Sequence, residues 1–188
     1  AVELLARMDV QINKLTKLIS DLLDVTKIEG GKLQFLEEFF DFNKLVTEIA
    51  EEMQQTTKRH TILIKLALTK MICGDRNRIG QVITNFISNA IKYSPDNGKI
   101  ILTTSRSKNS ISLCVQDFGI GIPKHNQDKV FDRFYRVSGI IEDTFPGMGL
   151  GLFISSEIIK RHKGKITVKS VKGKGSTFCF SLPIIQVS

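Results

Sequence analysis

The sequence predicts an α+β fold in which helices are layered on one mixed sheet, preceded by one long helix. Two observations predict this. Residues 2–28 repeat apolar side chains in steps of three and four, with no Gly or Pro before Gly30. After Gly31, strand patterns alternate with helical patterns, as expected for helices on a sheet. We therefore divide the chain into a helical segment, residues 1–30, and a globular domain, residues 31–188.

The first helix carries a heptad-like apolar stripe. Leu18, Leu23 and Val25 widen it beyond a two-stranded seam, which is typical of a four-helix bundle. A lone helix cannot bury such a stripe, so we expect a partner helix, including one from a second copy of the chain. The alternative is a helix folded back on the globular domain. The stripe consists of Leu5, Met8, Ile12, Leu15, Ile19 and Leu22.

The globular domain is predicted to contain four helices and six strands. Asp41 or Asn43 is expected to cap the first of these helices. Turn signals at Asp96-Asn97-Gly98 and at residues 172–175 predict hairpin-like connections. The predicted order is strand 32–35, a helix ending near 55, strand 61–68, helix 76–93, strands 99–104 and 111–117, helix 127–134, a loop of about a dozen residues, helix 150–162, and strands 165–171 and 176–182.

The helix predicted over residues 76–93 carries two stripes. One is apolar and faces the core. The other is polar and includes two asparagines one turn apart, although Asn costs up to about 0.7 kcal/mol relative to Ala in a helix. This spacing favours a functional role for the amides over a merely solvated face. The polar stripe consists of Arg78, Gln81, Asn85, Asn89 and Lys92.

A carboxylate and two glycine-rich turns follow. Asp117 ends a strand in register with the apolar Ile111, Leu113 and Val115, where an unpaired charge is costly. The next residues, 118–123, include Gly119 and Gly121, an arrangement that suits an adenine amino group in an apolar slot. Residues 147–152 read Gly-Met-Gly-Leu-Gly-Leu before a helix, which favours an anion at the helix N-terminus, although this is not a Walker loop.

Composition excludes several classes of protein. The net charge is +8, and seven basic residues lie between Lys160 and Lys174, but no nucleic-acid-binding signature accompanies them, so we expect no nucleic acid partner. No apolar run is long enough for a membrane span. Cys73, Cys114 and Cys179 are odd in number and scattered, which predicts reduced thiols rather than a disulfide framework or metal site.

Taken together, the ordered motifs resemble the N, G1, F and G2 boxes of the histidine kinase catalytic domain. The resemblance covers roughly residues 30–183, and the first helix resembles the second helix of that family's dimerisation hairpin. It implies a two-layer α/β sandwich of Bergerat type, related to gyrase and the Hsp90 chaperone. The four boxes are, in order, Asn85-x-x-x-Asn89-Ala90-x-Lys92-Tyr93, Asp117-x-Gly119-x-Gly121, Phe131-x-x-Phe134-Tyr135-Arg136 and Gly147-x-Gly149-x-Gly151. A fifth motif, Gly173-x-Gly175-Ser176-Thr177-Phe178, resembles the family's terminal glycine turn.

The resemblance also implies cofactors and roles. ATP and Mg²⁺ are the implied cofactors, with Asn89 as metal ligand, Asn85 supporting it, and Lys92 and Tyr93 on phosphate and ribose. Asp117 would accept from the adenine amine. The other residues implied at the nucleotide are Gly119, Gly121, Phe131, Phe134, Tyr135, Arg136, Gly147, Gly149, Leu150, Gly151 and Thr177, of which Phe131 to Arg136 would anchor a lid running to Pro146.

Asn85 distinguishes kinase from hydrolase. Hydrolases of the superfamily typically place Glu there as a general base, and an amide cannot accept a proton at neutral pH. The resemblance therefore implies transfer of the γ-phosphoryl group to a histidine and relay to a response regulator receiver domain. His60, His125 and His162 lack the acceptor's context and are predicted to lie at the surface, so we expect the acceptor upstream of Ala1.

Two other readings remain open: a related serine kinase or ATPase, and a nucleotide-sensing scaffold without kinase activity. The dimerisation helix argues against the first and the intact boxes against the second. The resemblance implies a cytoplasmic location, with attachment to the inner membrane only through other parts of the parent protein.

Overall fold

The computed structural model describes residues 2–67, 71–94, 98–137 and 148–184. Within these ranges the chain forms five helices and seven strands. The helices are α1 (Val2–Glu29), α2 (Phe42–Gln55), α3 (Arg76–Tyr93), α4 (Lys124–Gln127) and α5 (Gly151–Arg161). The strands are β1 (Glu38–Asp41), β2 (Thr61–Lys65), β3 (Met71–Gly74), β4 (Lys99–Arg106), β5 (Ser110–Gln116), β6 (Lys165–Val171) and β7 (Gly175–Pro183).

A five-stranded mixed sheet forms the centre of the fold. Its order is β2-β4-β5-β7-β6, with β2 and β4 parallel and the other neighbours antiparallel. Strands β1 and β3 pair in a separate antiparallel ribbon. The predicted α+β class, with helices on one mixed sheet, is confirmed.

The core lies between α2, α3 and α5 and one face of this sheet. On β5, alternation buries Ile111, Leu113 and Val115, each at most 1% exposed. The Phe86 ring on α3 lies 5.5 Å from the Phe178 ring of β7, measured between centroids. The period-3.6 apolar face of α3 is therefore buried as predicted.

Asp75 fixes the start of α3. Its Oδ1 accepts from the amide of Arg78 at 2.9 Å, which caps the helix. Its Oδ2 accepts from the amide of Leu36, and its own amide donates to Nε2 of His162, both at 2.9 Å. The N-terminus of α3 is thus joined to the segment after α1 and to the end of α5.

Two predicted elements are placed wrongly, and one strand was missed. Residues 32–35 are not a strand, because the amides of Lys32 and Leu33 bond to the carbonyl of Lys27 and close α1. The strand is β1, six residues later, and its partner β3 was not predicted. Helix α4 covers only residues 124–127, and turns occupy residues 128–134.

Of the two predicted turns, one lies within the described residues. Residues 172–174 join β6 to β7 in a hairpin, as expected. The other predicted turn, Asp96-Asn97-Gly98, falls between α3 and β4 in the chain, and its residues 96 and 97 lie outside the described residues. Asp41, not Asn43, caps α2 by accepting from the amide of Lys44 at 3.1 Å.

The expectations for cysteine and histidine also need correction. Cys114 and Cys179 form a disulfide, because they are direct partners across β5 and β7 with Cα atoms 4.1 Å apart, whereas Cys73 is free. His60 is only 6% exposed, and its Nε2 donates to the carbonyl of Ser94 at 2.8 Å. His125 is exposed as predicted, and His162 is half-buried.

Helix α1 is docked at its C-terminal end and open elsewhere. Val25 is 2% exposed within the core, and the carboxylate of Asp24 accepts from Arg78 at 2.8 Å and from Gln81 at 2.9 Å. Glu29 pairs with Arg133. The part of the stripe with described side chains, Met8, Ile12, Leu15, Ile19 and Leu22, stays 49–59% exposed. The end of the helix is therefore docked on the globular domain, but the globular domain does not cover the stripe, which remains available to a partner.

In the described part of the chain, no helix combines the length and apolar character needed to cross a membrane.

Candidate functional site

A cleft of about 340 Å³ opens between α3, the end of β5, the start of β7 and the N-terminus of α5. The C-terminal half of α1 forms one of its walls. The lining includes Lys17, Leu18 and Asp21 of α1; Asn85, Ser88, Asn89, Lys92 and Tyr93 of α3; Asp117, Ile120, Gly121 and Ile122 after β5; Val130, Tyr135, Arg136 and Val137; Met148 to Leu152; and Ser176 and Phe178 of β7.

Asp117 is a buried carboxylate at one end of the cleft. It is 5% exposed, and its Oδ1 accepts from the amides of Gly119 at 2.9 Å and Ser176 at 3.2 Å. Burial raises the pKa of Asp117, and the two amides act in the opposite direction. Burial of this carboxylate therefore has a desolvation cost, and the hydrogen bonds from the two amides offset only part of that cost.

The turn after Asp117 packs tightly on the end of α3. The amide of Ile120 donates to the carbonyl of Tyr93 at 3.0 Å. A Cβ at Gly119 would lie 1.9 Å from that same carbonyl oxygen, so no larger residue fits. Burial raises the pKa of the Tyr93 hydroxyl, which lies in the same wall. Gly119 therefore sets the distance between the carboxylate and α3.

The other end of the cleft is the N-terminus of α5. Among the described residues, no side chain caps this helix, and Gly149, Leu150 and Gly151 line the cleft. A Cβ at Gly151 would lie 2.5 Å from Oδ1 of Asn85, and Nδ2 of Asn85 donates to Oγ of Ser155 at 3.0 Å. Backbone amides without helical partners and a positive dipole end thus face the cleft beside an amide side chain.

Most of the residues predicted for the site lie together. Those that line the cleft are Asn85, Asn89, Lys92, Tyr93, Asp117, Gly121, Tyr135, Arg136, Gly149, Leu150 and Gly151. Gly119 lies directly behind Asp117. Gly147 lies outside the described residues, as do residues 138–146 of the loop from Val137 to Pro146 that is predicted to be a lid.

Besides Gly119, three predicted residues do not line the cleft. Phe131 packs edge-to-face on Phe178 with centroids 6.4 Å apart. Phe134 is 52% exposed under the guanidinium of Arg133. Thr177 pairs with Gln116 across the sheet, and the preceding residue, Ser176, faces the cleft. The glycine turn was recognised from sequence, but a one-residue difference in strand register decides which side chain turns inward.

Sequence reasoning missed the contribution of α1. Lys17 and Asp21, one turn apart, line the cleft with Nζ to Oδ1 at 3.6 Å. Asp21 is 8% exposed, and burial raises its pKa, with Lys17 lowering it and Asp24 raising it further. The available signal was two acidic residues, Asp21 and Asp24, three positions apart on one side of an otherwise heptad-like helix.

The donors in the cleft suit a metal bound mainly through a ligand's phosphates. Among the described residues, no group of three or more His, Cys, Asp or Glu side chains could hold a metal ion. The amide oxygens of Asn85 and Asn89 are hard donors, and Mg²⁺ typically takes one or two protein oxygens plus phosphate and water. The cleft therefore fits Mg²⁺ carried by a nucleotide better than an independent metal centre.

Comparison with known proteins agrees with this geometry. The family described as histidine kinase-, DNA gyrase B-, and HSP90-like ATPase matches residues 74–186, more than half of the chain. The sensor histidine kinase WalK of Bacillus subtilis is 34% identical over 177 residues, which cover 92% of this chain and 29% of WalK. The circadian input-output histidine kinase CikA of Thermosynechococcus vestitus is also 34% identical over 177 residues, covering 92% of this chain and 24% of CikA.

Solved structures show the same fold. Acinetobacter baumannii histidine kinase AdeS superposes with a TM-score of 0.75 at 27% identity, covering 94% of this chain and 81% of that one. Full-length ShkA in complex with AMPPNP gives a TM-score of 0.80 at 26% identity, covering 93% of this chain and 37% of ShkA. The chain spans less than a third of the length of WalK or CikA. It belongs to the family of histidine kinase-, DNA gyrase B- and HSP90-like ATPases, in the sensor histidine kinase branch.

Proposed function

We propose that the chain binds Mg²⁺-ATP in this cleft and donates the γ-phosphoryl group to a histidine, for relay to an aspartate of a response regulator receiver domain. The observation that carries the proposal is the pairing, in one cleft, of a buried acceptor with a helix N-terminus that no described side chain caps. Asp117 suits a base edge, and the start of α5 suits phosphate. The match to the ATPase family and the AMPPNP complex of ShkA support the same ligand.

Asp117 is the residue that selects adenine in this proposal. Its Oδ1 is shared by two backbone amides, and Oδ2 accepts from the exocyclic amine of the base. Guanine presents a carbonyl at the corresponding position, so its oxygen would face a carboxylate. Ile120, Ile122 and Val130 supply apolar surface beside the carboxylate.

The phosphates are assigned to the opposite end of the cleft. Asn89 is proposed as the Mg²⁺ ligand, with Asn85 beside it, and bound Mg²⁺ would neutralise charge on the transferring group. Lys92 and Arg136 line the cleft and supply positive charge, and Gly149 and Gly151 line it at the start of α5. Positioning and charge stabilisation account for most of the catalysis of phosphoryl transfer, and this chain provides both.

The acceptor is assigned to a histidine other than the three in this chain. None of His60, His125 and His162 lines the cleft as the structure describes it. His60 is buried and held by Ser94 and Thr57, and His162 is held by Asp75 and Ile158. The alternative, ATP hydrolysis, lacks a base at Asn85, whose amide donates to Ser155.

Calorimetry with ATP and GTP in the presence of Mg²⁺ tests the adenine assignment. We expect ATP to bind and GTP to bind more weakly, and Asp117→Asn to cost about 1–3 kcal/mol of ATP binding free energy. Equal affinities for the two nucleotides would contradict an adenine-selective cleft.

Radiolabelled ATP tests the transfer. The chain alone should take up no acid-labile, base-stable label, whereas a version with a histidine-bearing helix placed before Val2 should. Labelling of the chain alone would show that one of its own histidines is the acceptor. Labelling of neither version would favour a nucleotide-binding scaffold.

A further inference from the structure

Helix α1 packs against α5, whose N-terminus is the phosphate end of the cleft, and lines that cleft with Lys17, Leu18 and Asp21. Asp24 is bonded to Arg78 and Gln81, in the first two turns of α3. Seven residues earlier on α1 is Lys17, and seven residues after Gln81 on α3 is Ser88. Both steps correspond to about 10 Å along a helix axis. Lys17 and Asp21 of α1 therefore line the same cleft as Asn85 and Ser88 of α3.

Lys17 is available for another contact. Its side chain is 63% exposed, and its pair with Asp21 is long, at 3.6 Å between Nζ and Oδ1. A Lys placed four residues before an acidic partner is also the less favourable order on a helix. Such a pair is weak, so a ligand with higher negative charge can take the ammonium group from it.

We propose that Lys17 contacts the terminal phosphate of bound ATP, and that Asp21 holds the Lys17 ammonium group until the nucleotide binds. This inference rests on the proposed function of the cleft. It adds a phosphate-binding residue from outside the catalytic domain: the helix that carries the exposed apolar stripe then senses whether the third phosphate is present. Asp24 acts here as a positioning residue, because its bonds to α3 set where Lys17 lies.

Calorimetry with ATP and ADP in the presence of Mg²⁺ separates this contact from nucleotide binding in general. Lys17→Gln should weaken ATP binding about tenfold, the usual size of a charge-assisted contact, and ADP binding less than about twofold. Lys27→Gln is the matched control, since Lys27 is exposed on the same helix and does not line the cleft, and it should change neither affinity. Equal weakening of ATP and ADP, or no change in either, would overturn the proposal.

Asp21→Asn tests the second half of the proposal. Without the competing carboxylate, Lys17 should be freer, so ATP should bind as tightly as in the wild-type chain or more tightly. A loss of ATP affinity would show that Asp21 serves the nucleotide directly, and would overturn its role as the holder of Lys17. If the wild-type chain binds neither nucleotide, the proposed function fails; if it binds both and Lys17→Gln is unchanged, only this inference does.

Discussion

At the scale of single residues, Asp117 shows how one carboxylate can oppose folding and serve binding. Burial raises its pKa above the usual 3.8, so the folded chain holds the proton more tightly than the unfolded chain does. The contribution of Asp117 to stability is therefore fully present below pH 3.8 and is lost as the pH rises through its raised pKa. The same ionisation creates the acceptor that the adenine amine requires.

Adenine recognition should thus follow the opposite trend with pH. We expect ATP affinity to fall as the pH is lowered through the raised pKa of Asp117, because protonation replaces an acceptor with a donor. Calorimetry across this range measures it, with Asp117→Asn as the control that lacks the titrating group. Protonation of the ATP phosphates affects both proteins alike, so identical pH slopes would contradict the assignment.

At the scale of elements, the polar stripe of α3 divides into two functions. Its first part, Arg78 and Gln81, bonds to Asp24 of α1, and its later part, from Asn85 to Lys92, lines the cleft. One helix thus fixes a neighbouring helix and presents side chains to the ligand. Both uses require the same three- and four-residue spacing.

Asp24→Ala should loosen the docked end of α1. Asp24 is 5% exposed, so its loss leaves Arg78 and Gln81 without their carboxylate, and we expect the free energy of unfolding to fall by about 1–3 kcal/mol. Amides of residues 21–29 should exchange hydrogen faster. Glu37→Ala, which removes an exposed carboxylate, is the control and should change neither measurement. Unchanged exchange in Asp24→Ala would mean that the other contacts of this end, those of Val25, Ile28 and Glu29, are enough to hold the helix.

How well an element could be predicted from the sequence depended on the length of its apolar pattern. Helix α3 repeats its apolar spacing over five turns, and its predicted bounds of 76–93 match the structure. Strands β1 and β3 have four residues each, too few for alternation to be distinguished from chance. Asp117 was recognised because a charge in an apolar register is costly. Ser176 and the Cys114–Cys179 pair depend on the register between distant strands, which no local pattern specifies.

At the scale of the whole molecule, α1 has two opposite faces with different partners. Asp21, Asp24 and Val25 face the globular domain, and the stripe from Met8 to Leu22 lies about half a helical turn away. Docking therefore leaves the stripe uncovered. A contiguous row of apolar side chains about half exposed is typical of an interaction surface, and the heptad spacing favours another helix.

We predict that the chain self-associates through this stripe. Leu15→Glu combined with Ile19→Glu should shift sedimentation toward the monomer, because each change places a charge among apolar partners. Ser20→Glu adds charge off the stripe and should leave association unchanged. ATP affinity should be the same in the wild-type chain, the double variant and Ser20→Glu, since none of the substituted residues lines the cleft. Association that survives the double substitution would assign the contact to another surface.

The disulfide between Cys114 and Cys179 closes the chain between them into a covalent loop. It joins positions 65 residues apart, and the chain between them includes α4, α5 and β6 as well as residues 138–147. A protease that cuts anywhere in this interval leaves two fragments still covalently joined. On a denaturing gel the nicked chain runs as one band until a reductant is added, when it separates into two. After such a cut, the disulfide would still join β5, which leads into Asp117, to β7, which carries Ser176. A nicked chain can therefore keep the cleft.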